Sequence, residues 1–302
     1  MGKHPAPFSM TLPATSANLG PAFDAAAIAL RLHLGVKAQA AREFSISASG
    51  RDADVCGRLQ PNLMIETYRE VLESEGRKVV PLRLEIGNNM PIGKGTGSSA
   101  AALLAGVALA VHFGRLKWPD DRVMAEAARR EQHVDNVAGC WLGGVAVVHP
   151  EGAVRLRVRA KWPLLLAVPR ETLLTAHSRT VLPDCYPRAD AVANVQQAML
   201  LAAALVDGRP DLLRHALCDR FHEPYRGPLC PLLAPLRRMA GTKGVLGAVL
   251  SGSGPSVLMF LDPAVAIAKT VRRVEIALQN EGLAAELLVT SMETRGARER
   301  RR

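Results

Sequence analysis

Aromatic residues are scarce, at 4% of 302. Proteins that grip single-stranded nucleic acid do so largely by stacking bases on aromatic rings, so the chain is poorly equipped for that task. Cysteine is also sparse. Five are present (Cys56, Cys140, Cys185, Cys218, Cys230), an odd number with no Cys-x-x-Cys spacing. That pattern argues against a disulfide framework or a zinc site and for the reduced thiols of a cytoplasm. Long hydrophobic runs are missing too: the longest apolar stretch, residues 100–111 with one glycine inside it, covers 12 residues and is too short to span a bilayer. Residues 1–10 hold no apolar core of a secretory leader. The expectation is a cytoplasmic globular protein with neither a membrane nor a nucleic-acid partner.

What is present is a hydrophobic fraction of 48% against 22% charged residues, with 38 Lys+Arg, 28 Asp+Glu and a net charge of +10. Such a balance supports a packed core and excludes wholesale disorder. The last ten residues hold five Arg and two Glu and so carry +3 of the excess. Ending on Arg300, Arg301 and Arg302, they read as a solvated, mobile tail. The remaining excess suits solubility or the attraction of small anions.

The first third alternates at period two through Leu32, Leu34, Val36, Ala38 and Ala40, through Phe44, Ile46 and Ala48, and through Leu82, Leu84 and Ile86. These short strands predict antiparallel pairing rather than a Rossmann-type sheet. Residues 62–76, 98–113 and 120–131 read as helices. Lys161-Trp162-Pro163 is the best boundary, giving an N-terminal domain over 1–160, a C-terminal domain over 161–292 and the basic tail over 293–302. Beyond it the sequence predicts a strand over 164–168, helices over 190–206, 210–220, 230–240 and 263–279, and a last strand over 286–290. On the helix over 190–206, Val192, Val195, Met199, Ala202 and Val206 fall at helical spacing and predict a core-facing stripe. The fold class is α+β, with two antiparallel-rich domains.

The richest chemistry lies in Pro91-Ile92-Gly93-Lys94-Gly95-Thr96-Gly97-Ser98-Ser99. Alternating glycines after a strand let backbone N–H groups close around an anion, and the following helix adds its positive end. The spacing is not that of a Walker A loop. Ser98 and Ser99 are candidates to cap the helix or to face phosphate and Mg²⁺. Lys94 is open to two readings, a point charge on phosphate or a solvated side chain.

This loop resembles the ATP-binding motif of the GHMP kinases, small-molecule kinases without a P-loop. Two further motifs fall in family order: Pro-Ala-Thr-Ser-Ala-Asn-Leu-Gly-Pro-Ala-Phe-Asp over residues 13–24, and Gly-Ala-Val-Leu-Ser-Gly-Ser-Gly-Pro-Ser over residues 247–256. The first has the form typical of the homoserine kinase branch. Agreement continues in Glu131-Gln132-His133-Val134-Asp135-Asn136-Val137, in residues 175–183 and in residues 219–226. Ala22, Ala26 and Ala27 depart from the pattern, which has glycines beside the substrate pocket at the first and last of these positions.

The resemblance implies a two-domain GHMP-kinase-like fold with a ferredoxin-like C-terminal half. It implies ATP and Mg²⁺ as cofactors, an amino-alcohol substrate (L-homoserine, a step toward threonine) and a homodimer as one possible assembly. Ser99 and Glu131 would hold Mg²⁺. Pro91, Gly93, Lys94, Gly95, Thr96, Gly97, Ser98 and Ser99 would form the phosphate loop, with Asn62 on the adenine side, although Asn62 also reads as an N-cap. A zwitterionic substrate asks for guanidinium groups on its carboxylate and an acid on its ammonium. Arg179 and Arg226 match the first need and Asp135 the second. Asn18, Asp24 and Asn136 would orient the hydroxyl end, Gly252 would line the substrate side, and His133 would orient groups rather than act as a base. Asn18, Ser99, Glu131, Thr175 and Arg179 would surround the transferring phosphoryl. Two alternatives stay open: another alcohol as acceptor, or a non-catalytic basic binding protein on the same fold.

Overall fold

The structure is a computed structural model that describes residues 5–131, 133–171, 175–242 and 244–301, without the side chains of residues 175–177. The first half is built around one long strand. β1 (Phe8–Ala17) runs antiparallel to β2 (Ala26–Ala40) along its whole length. β3 (Ser45–Gly50), a turn of helix α1 (Ala53–Cys56) and helix α2 (Leu63–Ser74) lead to β4 (Leu82–Asn88). Helices α3 (Ser98–Phe113), α4 (Asp120–Arg130) and α5 (Val134–Leu142) follow, then the hairpin β5 (Val145–His149) and β6 (Gly152–Leu156). The sheet order is β3-β4-β2-β5-β6, with β1 also on β2. One pair departs from the antiparallel expectation, because β3 and β4 are parallel. A parallel pair needs a crossover, and α1 with α2 supplies it.

The second half runs β7 (Leu164–Pro169), α6 (Thr175–Thr180), α7 (Arg188–Asp207), α8 (Pro210–Ala216), α9 (Glu223–Arg226), α10 (Leu233–Arg238), β8 (Val245–Leu250), β9 (Val257–Leu261), α11 (Ile267–Asn280) and β10 (Ala285–Thr290). Its sheet order, β10-β7-β9-β8, is all antiparallel. With helices between β7 and β8 and between β9 and β10, this is the ferredoxin-like arrangement. β7 is buried along its entire length. Leu164, Leu166 and Val168 join a core shared with the first sheet, while Leu165 and Ala167 face a second core with Val274 and Leu278 of α11. A strand buried on both faces needs an unbroken apolar run, and Leu-Leu-Leu-Ala-Val provides one.

Two expectations fail. The stripe on α7 is not core: Val192, Val195 and Met199 are 52%, 59% and 68% exposed, and the buried face carries Asn194, Leu201, Ala204 and Leu205 instead. The C-terminal residues do not stand free either. Arg301 bridges Met10, pairs with Asp120 and lies over the Trp141 ring, while Arg300 pairs with buried Glu293 at 2.8 Å. Gly296 packs so tightly on the backbone of residues 141–143 that a Cβ would not fit. Neutralisation of Arg300 by Glu293 and of Arg301 by Asp120 relieves the self-repulsion that a block of arginines would otherwise suffer.

Candidate active site

The glycine-rich loop joins β4 to α3, and each glycine serves a different need. Gly93, Gly95 and Gly97 all have positive φ. A Cβ on Gly93 would meet nothing, so only its conformation demands glycine. A Cβ on Gly95 would strike the Ser251 carbonyl and come within 2.8 Å of the Gly254 carbonyl. On Gly97 it would strike Thr15 Oγ1 and lie 2.9 Å from Asn136 Oδ1. The loop is therefore clasped on one side by the 251–254 turn and on the other by β1 and α5. Three hydrogen bonds complete the clasp: Ser251 Oγ to Gly95 O at 2.6 Å, Thr15 N to Thr96 O at 3.0 Å and Thr15 Oγ1 to Asn136 Oδ1 at 2.6 Å. Buried Thr96 bonds the Pro91 carbonyl at 2.5 Å.

Gly97, not a serine, is the N-cap of α3. A glycine accepts the left-handed φ of 66° but offers no side-chain acceptor. The first N–H groups of this 16-residue helix thus remain open toward an anion. Ser98 Oγ accepts from Gly93 N at 3.4 Å. Ser99 Oγ donates to Glu131 Oε2 at 2.6 Å, and Glu131 Oε1 meets His133 Nδ1 at 3.2 Å. A hydroxyl against a carboxylate at a helix N-terminus is a donor set for a hard divalent cation that keeps most of its waters. Lys94 does neither of the things its sequence suggested: Nζ donates to the carbonyls of Arg170 and Glu171, both at 2.6 Å, tying the loop to the second half.

Beside the loop opens a mostly apolar cavity of about 350 Å³, lined by Leu34, Cys56, Met64, Met90 and Ile92 and reaching Ser98 and Ser99. Its apolar walls running into an anion-binding loop fit a purine nucleotide. Asn62 lines this cavity and is also the N-cap of α2, accepting from Ile65 N at 3.2 Å, so both readings of that residue hold.

On the other side of the loop the first motif turns through positive φ at Asn18, Leu19, Gly20 and Asp24. Ala22 and Ala27, which stand where the pattern has glycines, keep ordinary φ and are buried, as is Ala26, so these departures strain no backbone. Asn18 is a strut: Nδ2 donates to Gly252 O at 2.9 Å and Oδ1 accepts from Asp24 N at 2.9 Å, joining the first motif to the third. Asp24 pairs with Arg179 at 3.5 Å. Arg226 is fully buried; Nε donates to Ser178 O at 2.9 Å, Nη1 lies 3.4 Å from His222 Nδ1, and the guanidinium sits 5.2 Å from the Phe23 ring centre. Its Nη2 has no partner among the described residues. Asp135 accepts from Asn136 N through Oδ1 at 2.8 Å, while Oδ2 is buried and, like His133 Nε2, has no hydrogen-bond partner among the described residues. Burial, and then Asp24, push the Asp135 carboxyl up to about 7, against the pull of His133 and of the Asn136 and Asn18 amides. Buried groups left unsatisfied are costly, and this pair, an acid and a guanidinium edge, is what a bound zwitterion would satisfy. The side chain of Thr175 lies outside the described residues.

Several supporting residues escaped the sequence reading. Asp219 Oδ2 caps the His222 and Glu223 amides at 2.8 and 2.6 Å. His222 bonds Gly20 O through Nε2 at 3.0 Å, and burial lowers its pKa to about 4, so the ring is neutral and Nδ1 can accept from Arg226. Glu223 is buried, binds Leu250 N at 2.6 Å and pairs with Arg237. All lie within residues 219–226, but nothing in their spacing says which side chain turns inward.

Comparison with known proteins now decides the family. Residues 62–144 match the GHMP kinases N terminal domain, and residues 201–280 match GHMP kinases C terminal. The chain belongs to the GHMP kinase family. It is an enzyme that phosphorylates a small molecule. A homoserine kinase of Solibacter usitatus is 42% identical over 294 residues, covering 96% of both chains. A homoserine kinase of Deinococcus radiodurans is 38% identical over 260 residues, 85% of each. Among solved structures, homoserine kinase from Cytophaga hutchinsonii superposes with a TM-score of 0.81 at 24% identity, over 98% of both chains. It shares the fold of this GHMP kinase.

Proposed function

We propose that the chain is an ATP- and Mg²⁺-dependent homoserine kinase, moving the γ-phosphoryl group of ATP to the hydroxyl of L-homoserine to give O-phospho-L-homoserine and ADP. The full-length similarity to homoserine kinases carries the reaction. The observation that carries the substrate is that Asp135 Oδ2 and Arg226 Nη2 are each buried with no partner among the described residues, and that both groups feel the Asp24 carboxylate. Asp135 takes the ammonium, and Arg226 with Arg179 takes the carboxylate.

The nucleotide's base belongs in the apolar cavity near Asn62 and Cys56. Its phosphates belong against the Gly95 to Gly97 backbone and Ser98, at the open end of α3. Ser99 and Glu131 would hold Mg²⁺, which when bound neutralises charge on the phosphates. His133 orients Glu131 from the side opposite Ser99. Asn18, Thr15 and Ser251 hold the loops in register through side-chain bonds within the chain, and Asn136 joins them through Oδ1. Positioning of this kind is most of what phosphoryl transfer needs.

ADP release measured across L-homoserine, L-threonine, L-serine and mevalonate tests the reading. Turnover is expected with homoserine above the others; none with homoserine overturns it.

A further inference from the structure

Helix α9 carries Arg226, the guanidinium placed on the substrate carboxylate, yet it is only four residues long. A helix that short is unstable in water on its own. Its position is set by the side chains that anchor it, and three of them are buried: Asp219, His222 and Glu223. Asp219 closes the start of the helix, accepting from Phe221 N at 3.0 Å, His222 N at 2.8 Å and Glu223 N at 2.6 Å. Those bonds shape α9 without tying it to another element. His222 reaches the first motif, through Gly20 O. Glu223 reaches the third.

Glu223 Oε1 accepts from Leu250 N at 2.6 Å. Leu250 ends β8, and the turn that follows it clasps the phosphate loop: Ser251 Oγ donates to Gly95 O, and Gly252 O accepts from Asn18. On α9, Glu223 and Arg226 are three residues apart and therefore neighbours on the helix surface. One carboxylate oxygen thus links the backbone that holds the ATP side to the guanidinium that holds the acceptor side. Through Oε2 the same carboxylate pairs with Arg237 of α10, whose side chain is partly exposed. Burial pushes the Glu223 carboxyl up to about 7, against the pull of Arg237 and of the Leu250 amide. A buried acid is destabilising where an apolar side chain of similar volume is not, so packing alone does not account for it.

We propose that Glu223 is a positioning residue for phosphoryl transfer, its bond to Leu250 N fixing Arg226 relative to the Gly95 to Gly97 loop. It thereby sets how closely the acceptor hydroxyl approaches the γ-phosphoryl group. The proposal rests on the assignment of Arg226 to the substrate carboxylate. A misplacement of about 1 Å in such an alignment costs roughly 100-fold in rate.

Two conservative variants separate position from charge. Glu223→Asp keeps the charge but withdraws the carboxylate by one methylene. Glu223→Gln keeps the length and the acceptor for Leu250 N, and gives up the ion pair with Arg237. Steady-state kinetics of both, below their Tm and with folding checked by circular dichroism, test the proposal. Glu223→Asp should lower kcat for L-homoserine roughly 30- to 100-fold and raise KM for it, with KM for ATP within about twofold of wild type. Glu223→Gln should lose thermal stability yet keep kcat within about threefold. A merely structural residue would show the two losses together. Wild-type kcat in Glu223→Asp, an equal loss toward ATP and homoserine, or a folded Glu223→Gln slowed tenfold or more would each overturn the proposal. The last of these decides even where the shorter acid does not fold. A wild-type chain inactive on homoserine would instead overturn the substrate reading beneath it.

Discussion

Asp135 is a buried acid whose stability cost is readable against pH. Its carboxyl rises from 3.8 to about 7 on folding, so between these values the folded state holds a proton that the unfolded chain has lost. Stability then falls as pH rises through that window. Taking the unfolded value as 3.8 and the folded one as about 7, the loss between pH 5 and pH 8 comes to about 2.5 kcal/mol. With unfolding entropy near 2.1 cal/mol/K per residue, that is about 4 °C in Tm. Asp135→Asn removes the titration while keeping an acceptor for the Asn136 amide. Calorimetric Tm of both proteins from pH 5 to pH 8 should therefore diverge, the wild type falling about 4 °C relative to the variant. Glu223, also pushed up to about 7 by burial, is common to both and cancels. The same titration should appear in function: kcat/KM for an amino substrate climbs with a midpoint near 7 as Asp135 ionises, and Asp135→Asn loses most of it. Parallel Tm curves would refute the assignment of the raised acid to Asp135.

Three further outcomes follow from the geometry. Gly97→Ala puts a Cβ against Thr15 Oγ1 in a left-handed conformation. It should cost about 2–5 kcal/mol in urea unfolding and displace the loop, raising KM for ATP; wild-type stability and KM would show that the clasp is loose. Arg226→Ala should lower kcat/KM for homoserine by about 2–5 kcal/mol, that is roughly 30-fold or more, with KM for ATP little changed. Equal loss toward both substrates would place Arg226 in general support of the fold. Deleting residues 293–302 strips buried Glu293 from His33 and uncovers Trp141, so Tm should fall by about 5–8 °C, from about 3–5 kcal/mol; an unchanged Tm would mean that the docked tail contributes nothing.

Much of this fold is written in local pattern. The period-two runs in β2 and β4 and the all-apolar β7 are each explained by which faces are buried. The glycine-rich loop is legible because its three glycines have no other common reason to alternate before an Ala-rich helix. What failed has a physical cause in each case. The parallel β3–β4 pair escaped although the crossover helix α2 was legible, because local pattern shows a helix between two strands but not that the strands lie side by side in the sheet. The stripe on α7 misled because this helix is apolar around most of its circumference. Periodicity then finds a face without saying whether Val195 or Leu201 turns inward, and the choice is made by the Asn194 bonds to Pro21 and Arg220. Lys94 was undecidable because its partners are two backbone carbonyls some 76 residues away, which no side-chain pattern announces.

The polar residues of the three motifs and of α5 divide by where their hydrogen bonds go. Thr15, Asn18, Asn136 and Ser251 spend theirs on one another's loops, across sequence separations of 121, 234 and 156 residues. Those long-range bonds make two halves with different sheets present one edge, and they explain why the motifs keep their order along the chain yet meet in space. Asp135, His133 and Arg226 are held just as firmly, but each keeps one buried atom unmatched among the described residues. Holding an unmatched buried charge is expensive, and the fold meets that expense with the backbone amides on Asp135 and the neutral His222 beside Arg226. A polar group that is satisfied in the free protein can gain little from a ligand, whereas one kept short of a partner gains a full hydrogen bond on binding. By that criterion substrate selectivity resides in Asp135 and Arg226 rather than in Asn18, whose amide is bonded at both ends, and exchanging the former should change which alcohol is used while exchanging the latter should lower turnover of every alcohol alike.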